Sequence, residues 1–245
     1  MLALRKAFPE ITPGQTSALA TIRDIRKRAD ARGFAFADRL FADDDGLSMA
    51  TSPALVAVHA SLLAATGRPV LDIAAGCGIE ALQLAAAGLD VTCYEIDPAR
   101  AHFAATNAAR CPTPGKITVV AGDCRTANAD GMVIYYDPSR RADGTRNNRS
   151  MDSLEPPIDV WTAFTTTTGM GLAKLPTGLP DDETIDLGDT YAFLAEGRDC
   201  KECIVTTGIE TPWNSGDVYF VDSGRTVSLG FDEVPMFPDL AEADW

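Results

Sequence analysis

The hydrophobic pattern of this chain changes character near residue 69. Before that point apolar positions recur at helical spacing; beyond it, short apolar runs alternate with helical stretches. Thr12-Pro13-Gly14-Gln15 forms a capping box with proline at the first helical position, which predicts a helix to about Ala31. Gly33, an aromatic stretch (Phe34, Phe36, Phe41) and the acidic turn Asp43-Asp44-Asp45-Gly46 follow. Ser52-Pro53 opens a second helix to about Ala65, ended by Gly67. Residues 1–66 therefore read as a helical extension packed on a core.

The core pattern runs strand, helix, strand, helix. Strands are predicted at 69–73, 90–95, 117–121 and 132–136, with helices at 79–87 and 98–109. Short links between such units imply a parallel sheet with right-handed crossovers, a doubly wound Rossmann-like α/β fold. Beyond Pro138 the pattern weakens. Residues 139–152 are polar and read as a loop; a helix is expected over 158–166 and a fifth strand over 169–175. Four strands follow, at 191–194, 202–207, 217–221 and 225–229, separated by Gly, Asp and Asn-Ser-Gly turns. They either complete the sheet as an antiparallel edge or form a small appended unit. The division drawn is 1–66, a core of 67–178 and a β-rich region of 179–245.

The strongest chemical signal lies between Val70 and Asp97. A buried strand ends in Asp72; the turn Ile73-Ala74-Ala75-Gly76-Cys77-Gly78 opens a helix; a second strand ends in Glu95. This frame holds a ligand containing adenosine by its ribose. A dinucleotide site wants three glycines so that pyrophosphate rests on bare backbone. Here the first and third positions are Ala74 and Ala81. An acid at the end of strand one suits a cation better than a phosphate. S-adenosylmethionine (SAM) carries an ammonium and a sulfonium. Asp72 can face that charged end, Gly76 and Gly78 allow close backbone approach, and Glu95 can accept from both ribose hydroxyls.

Other strand ends carry the remaining candidates. Asp123 follows strand three, placed for the adenine edge with Cys124 beside it; Asp137-Pro138-Ser139-Arg140-Arg141 follows strand four, where an acceptor must enter. The Asp137 carboxylate can orient an acceptor N–H, Pro138 fixes the turn, and Arg140 can clamp a phosphate or carboxylate. The plainer alternative is a strand-ending Asp-Pro with arginines paired to local acids. The sequence has no Ser/His/Asp constellation, H-E-x-x-H or Walker lysine.

Charge and cysteine content narrow the picture further. Residues 1–150 hold 17 Lys+Arg against 16 Asp+Glu, whereas 151–245 hold 4 against 19. An acidic half repels phosphate backbones, so any nucleic-acid contact falls to the first part. Candidates are Arg23, Arg26, Lys27, Arg28 and Arg32, otherwise a solvated helix face, together with Arg140, Arg141, Arg146 and Arg149. Six scattered cysteines read as reduced cytoplasmic thiols. Cys200-x-x-Cys203 has no second pair, and His59 and His102 are the only histidines, so no metal site is expected. No apolar run of about 18 residues or secretory signal is present, and no membrane partner is expected.

Asp72-x-Ala74-x-Gly76-x-Gly78, Glu95, Asp123 and Asp137-Pro138 together resemble the class I SAM-dependent methyltransferases over Val70 to Asp137. The resemblance implies Asp72, Ala74, Gly76 and Gly78 on the methionine and ribose side, Glu95 on the ribose, Ile96 beside the adenine and Asp123 at the adenine amine. Asp137 takes the place of the residue opening the D/N-P-P-Y/F motif of amino-methyltransferases. Ser139 and Arg140 replace its proline and aromatic, which weakens methylation of a flipped base. A bacterial methyltransferase group with a THUMP-like C-terminal region is more similar still. Asp137-Pro138-Ser139-Arg140-Arg141, Pro156-Pro157-Ile158, Lys174-Leu175-Pro176-Thr177-Gly178 and Cys200-Lys201-Glu202-Cys203 follow its motif order. That likeness implies SAM as cofactor, tRNA or rRNA as substrate, and a chain that is a shortened member or a fragment. A small-molecule or protein acceptor, or a non-catalytic SAM-binding role, stands beside it.

Overall fold

The structure is a computed structural model that describes residues 6–140, 151–177, 184 and 186–228. The helical extension begins with α1 (Pro13–Ala31), where Thr12 and Gln15 satisfy each other's backbone donors as the capping box requires. A short helix, α2 (Asp44–Met49), forms where an acidic turn was expected: Asp43 caps it by accepting from the Gly46 N–H. α3 (Pro53–Ala65) follows its Ser52 cap. Ile25, Ala29, Phe34, Leu40 and Leu47 bury against Ile79 and Leu82 of the core, so the extension shares the core's hydrophobic interior.

The arginines of α1 hold this extension together. Arg26 Nε donates to the Leu40 carbonyl at 3.0 Å, and its guanidinium lies 4.9 Å from the Phe41 ring centre. Arg28 pairs with Asp44 at 2.7 Å, and Arg32 donates to the carbonyls of Leu47 and Ala50. These three make contacts within the extension, so the face they form is not freely solvated, although Arg32 remains exposed. Arg23 and Lys27 are exposed.

The core elements are β1 (Val70–Asp72), α4 (Ile79–Ala86), β2 (Val91–Glu95), α5 (Pro98–Arg110), β3 (Ile117–Ala121) and β4 (Val133–Tyr136). The short β5 (Ser139–Arg140) and β6 (Leu154–Glu155) pair antiparallel, so the start of the expected loop at 139–152 forms a two-stranded ribbon with residues just beyond its end. Then come α6 (Ile158–Thr168), β7 (Gly171–Leu175), β8 (Thr190–Glu196), β9 (Asp199–Thr207), β10 (Asp217–Phe220) and β11 (Arg225–Val227).

Among the described residues, all strands but the ribbon join one nine-stranded sheet, ordered β11-β10-β8-β9-β7-β4-β1-β2-β3. β1 pairs parallel with β2 and β4, and β4 with β7. β9 enters antiparallel between β7 and β8, β10 runs parallel to β8, and β11 turns back along it. Of the two arrangements left open for these strands, sheet completion is the one found, and the sheet continues across the boundary drawn at 178. β1 and β4 are buried throughout, as central parallel strands must be. Alternate residues feed opposite faces: Val70, Val133 and Tyr135 meet α3 and α4, whereas Leu71, Ile134 and Tyr136 meet Trp161 of α6.

Candidate functional site

The strand order reverses between β1 and β4, which leaves a crevice beyond their carboxyl ends. A cavity of about 270 Å³ occupies it. Its floor is the loop after β1. Gly76 lines this floor at φ +55°, and a Cβ built there meets no atom within 4 Å, so bare backbone faces open space. Gly78 has a different reason to be glycine. It precedes α4 at φ +72°, and a Cβ there lies 2.9 Å from Ala104 Cβ of α5. Gly78 therefore sets helix packing and does not line the cavity.

Glu95 clamps the two loops that flank the cavity. Its Oε2 accepts the Gly76 N–H at 2.7 Å and its Oε1 accepts the Asp97 N–H at 2.8 Å. A carboxylate accepts about four hydrogen bonds, so one lone pair on each oxygen remains for a diol. Ile96 follows, 68% exposed, an apolar side chain turned toward the cavity. Asp97 caps α5 and those bonds hold its carboxyl below the usual range. Asp123 and Cys124 form the far wall. Backbone and side-chain bonds from Arg125 hold the Asp123 carboxyl low, whereas burial pushes the Cys124 thiol up to about 11. Cys77, also at the wall, is pushed up to about 11 by burial, so neither thiol is a nucleophile at neutral pH.

The helical extension supplies a wall that the sequence reading missed. Gly46, Met49 and Ala50, from α2 and the residue after it, line the cavity, and Met49 is half-exposed there. Asp43 ties this wall to the Glu95 side by accepting from Arg100 Nε at 3.0 Å. Gly46 lets the wall close down, since a Cβ there falls 2.7 Å from Cys77 Sγ.

At the β4 end, charged groups converge. Asp137 and Pro138 line the cavity, and Asp137 Oδ2 pairs with Lys174 Nζ at 2.9 Å. The same ammonium donates to Thr51 Oγ1 at 2.7 Å, while the Thr51 N–H donates to Glu80 Oε1 at 2.6 Å. Burial raises the Glu80 carboxyl, with Asp137 adding to the effect. Burial works to lower Lys174, but Asp137 and Glu80 overcome it and hold the ammonium above its ordinary value. Asp72 lies behind this group and is buried. It accepts from the Ala74 N–H at 3.1 Å, and burial raises its carboxyl well above the usual range. Beneath, His59 Nε2 sits 2.6 Å from Glu202 Oε1, and His59 Nδ1 sits 3.1 Å from the Tyr135 hydroxyl.

Ala74, Gly76, Glu95, Ile96, Asp123, Cys124, Asp137 and Pro138 thus surround one cavity, as their strand-end positions implied. Asp72 and Gly78 act from behind it: one holds the loop, the other seats the helix. The Arg140 side chain and residues 141–150, with Arg141, Arg146 and Arg149, lie outside what the structure describes. Cys200 is exposed and Cys203 buried on β9, and no cluster of metal-binding side chains occurs among the described residues. No described helix is long and apolar enough to cross a membrane.

No family model and no curated protein matches the chain. Solved structures do. A protein from Porphyromonas gingivalis W83 assigned as a methyltransferase superposes with a TM-score of 0.67 at 18% identity, over 86% of this chain and 55% of that one. A Listeria monocytogenes protein assigned to the class I S-adenosylmethionine-dependent methyltransferases superposes at 0.52 and 14% identity, over 89% of this chain and 78% of that one. This chain therefore spans just over half the length of the first. With its sheet order, its reversal between β1 and β4 and these likenesses, the chain has the fold of the class I SAM-dependent methyltransferases.

Proposed function

We propose that this chain is a SAM-dependent methyltransferase. The observation that carries the reading is bare Gly76 backbone held by the Glu95 carboxylate at the wall of a cavity lined by several further carboxylates, among them Glu80, Asp123 and Asp137. Glu80 stands in the first turn of α4, where a pyrophosphate would have to sit. That acid opposes a dinucleotide and favours a cation. The residues present fit SAM: Glu95 for the ribose diol, Ile96 and Cys124 for the adenine faces, Asp123 for its amine, and Ala74 and Gly76 backbone with Asp72 and Glu80 behind for the charged end. SAM bound there supplies a methyl on a sulfonium, open to in-line displacement.

The chain's own residues then serve the acceptor. Asp137 Oδ2 is engaged by Lys174, which leaves Oδ1 to accept an acceptor X–H and orient its lone pair. The ribbon of β5 and β6, with Pro138 and Pro156 on the cavity wall, and Met49 opposite, exclude water. RNA is the first acceptor proposed, supported by the D-P-x-R-R segment and by the motif order of the THUMP-like group. The second reading is a neutral or cationic small molecule or protein side chain, favoured by the acid walls of the cavity. Incubation with labelled SAM and, separately, total RNA, protein and small-molecule extracts decides between them. Transfer to RNA that falls off steeply with salt supports the first reading. Label in the other extracts supports the second. No transfer to any, with Asp137→Ala indistinguishable from wild type, overturns the enzyme reading.

A further inference from the structure

One buried ammonium serves two carboxylates that come from distant parts of the chain. Lys174 lies on β7, Asp137 at the end of β4 and Glu80 on α4, with Thr51 of the helical extension bridging Lys174 to Glu80. The Lys174 and Asp137 side chains are only 18% and 20% exposed, so water screens them weakly. The surrounding charges are mostly negative. Asp72 from β1 and Glu80 from α4 both act on Asp137's surroundings, Tyr135 and Tyr136 flank it on β4, and Glu202 from β9 acts on Lys174. His59 partners Glu202 from α3. Among the described residues, Lys174 is the one ammonium bonded within this group, and Asp137 and Glu80 act on each other unfavourably around it.

We propose that Lys174 is a positioning residue for the transferase site: it fixes Asp137 and, through Thr51, supplies the cation that the Asp137 and Glu80 side chains have in common. This rests on the methyltransferase reading and adds to it. The two carboxylates repel each other, so removing the cation linked to both raises the cost of ionising the pair. With Lys174 in place, Asp137 presents a bare carboxylate to the acceptor. Without it, the site takes up a proton more readily, and the cation of SAM drives that proton off.

Proton release on SAM binding reads this directly and needs no acceptor. SAM is titrated calorimetrically at pH 7 in two buffers of different ionisation enthalpy, into wild type, Lys174→Gln, Lys174→Arg, Asp137→Asn and the Lys174→Gln/Asp137→Asn pair. Lys174→Gln is expected to release up to about one more proton per SAM than wild type, and its SAM affinity should gain more steeply with rising pH. Lys174→Arg should match wild type. In the Asp137→Asn background, Lys174→Gln should add less than it does alone, because only Glu80 then loses the cation. A Lys174→Gln protein that binds SAM with wild-type proton release and pH dependence overturns the inference and leaves the methyltransferase reading standing. If Lys174→Gln alone does not fold, recovery of the fold by the paired variant supports the charge coupling, and failure of both overturns it. Absence of SAM binding by wild type removes both readings together.

Discussion

Two glycines two residues apart are predicted to fail in opposite ways. Gly78 sits at φ +72° with Ala104 of α5 directly in the path of a side chain, at 2.9 Å to its Cβ and 3.1 Å to its Cα. Gly78→Ala thus carries a backbone penalty of roughly 1–2 kcal/mol for the left-handed conformation. Forcing α5 aside adds about 1–3 kcal/mol, because the obstruction includes backbone and cannot rotate away. The sum is about 2–5 kcal/mol, or a fall in Tm of roughly 5–15 °C for a domain of this size. Gly76→Ala carries only the conformational part, since nothing lies within 4 Å of its Cβ, and should lower Tm by a few degrees. Its methyl, however, enters the cavity, and SAM affinity should fall by about tenfold or more. Urea denaturation followed by circular dichroism, and calorimetric titration with SAM, separate the two. The reasoning is refuted if Gly78→Ala is no less stable than Gly76→Ala, or if Gly76→Ala binds SAM like wild type.

Further outcomes follow from the same geometry. Glu95→Gln should weaken SAM by about 10- to 100-fold, because its amide N–H₂ must face either the Gly76 or the Asp97 N–H; equilibrium titration checks this. His59→Ala leaves Glu202 buried at 2% exposure without its partner and should cost about 3–5 kcal/mol in chemical denaturation. In wild type, burial works to raise Glu202, but His59 overcomes it and the folded carboxyl lies below its ordinary value. The pair's contribution is therefore complete above the ordinary glutamate range and lost as pH falls through the depressed value, which acid titration of stability should show. Glu80 has the opposite sign. Burial raises its folded carboxyl, so it opposes folding as pH rises above the ordinary range, and a bound cation relieves that cost. SAM affinity should therefore increase with pH through that window, and Glu80→Gln should flatten the dependence.

The donor half of the site was legible in the sequence because it is local. A strand, a glycine turn, a helix and a second strand fix the mutual placement of Gly76, Glu95 and Ile96 over 27 consecutive positions, 70–96, and no distant residue is needed. The acceptor half is not local. Lys174 meets Asp137 only because β7 pairs with β4 in the register Ala173 to Tyr136, and register leaves no trace in spacing. Glu80 joins them from α4 and Thr51 from the link that precedes α3. The insertion of β9 between β7 and β8 was likewise unreadable, since antiparallel and parallel strands share one alternating pattern. α2 was read as a turn for a different reason. It is six residues long, contains Gly46, and forms because Asp43 caps it and its Leu47 buries in the shared core. The contacts of Arg26, Arg28 and Arg32 were unreadable because Leu40, Asp44 and Ala50 come within their reach only once the extension has folded back on α1.

Calorimetric titration of SAM and its demethylated product into wild type and Glu95→Ala tests the account most directly. One site per chain is expected for both ligands, with a matching rise in Tm and loss of most of that affinity in the variant. Protection by NADH with none from SAM, or SAM binding that is indifferent to Glu95→Ala, would contradict it.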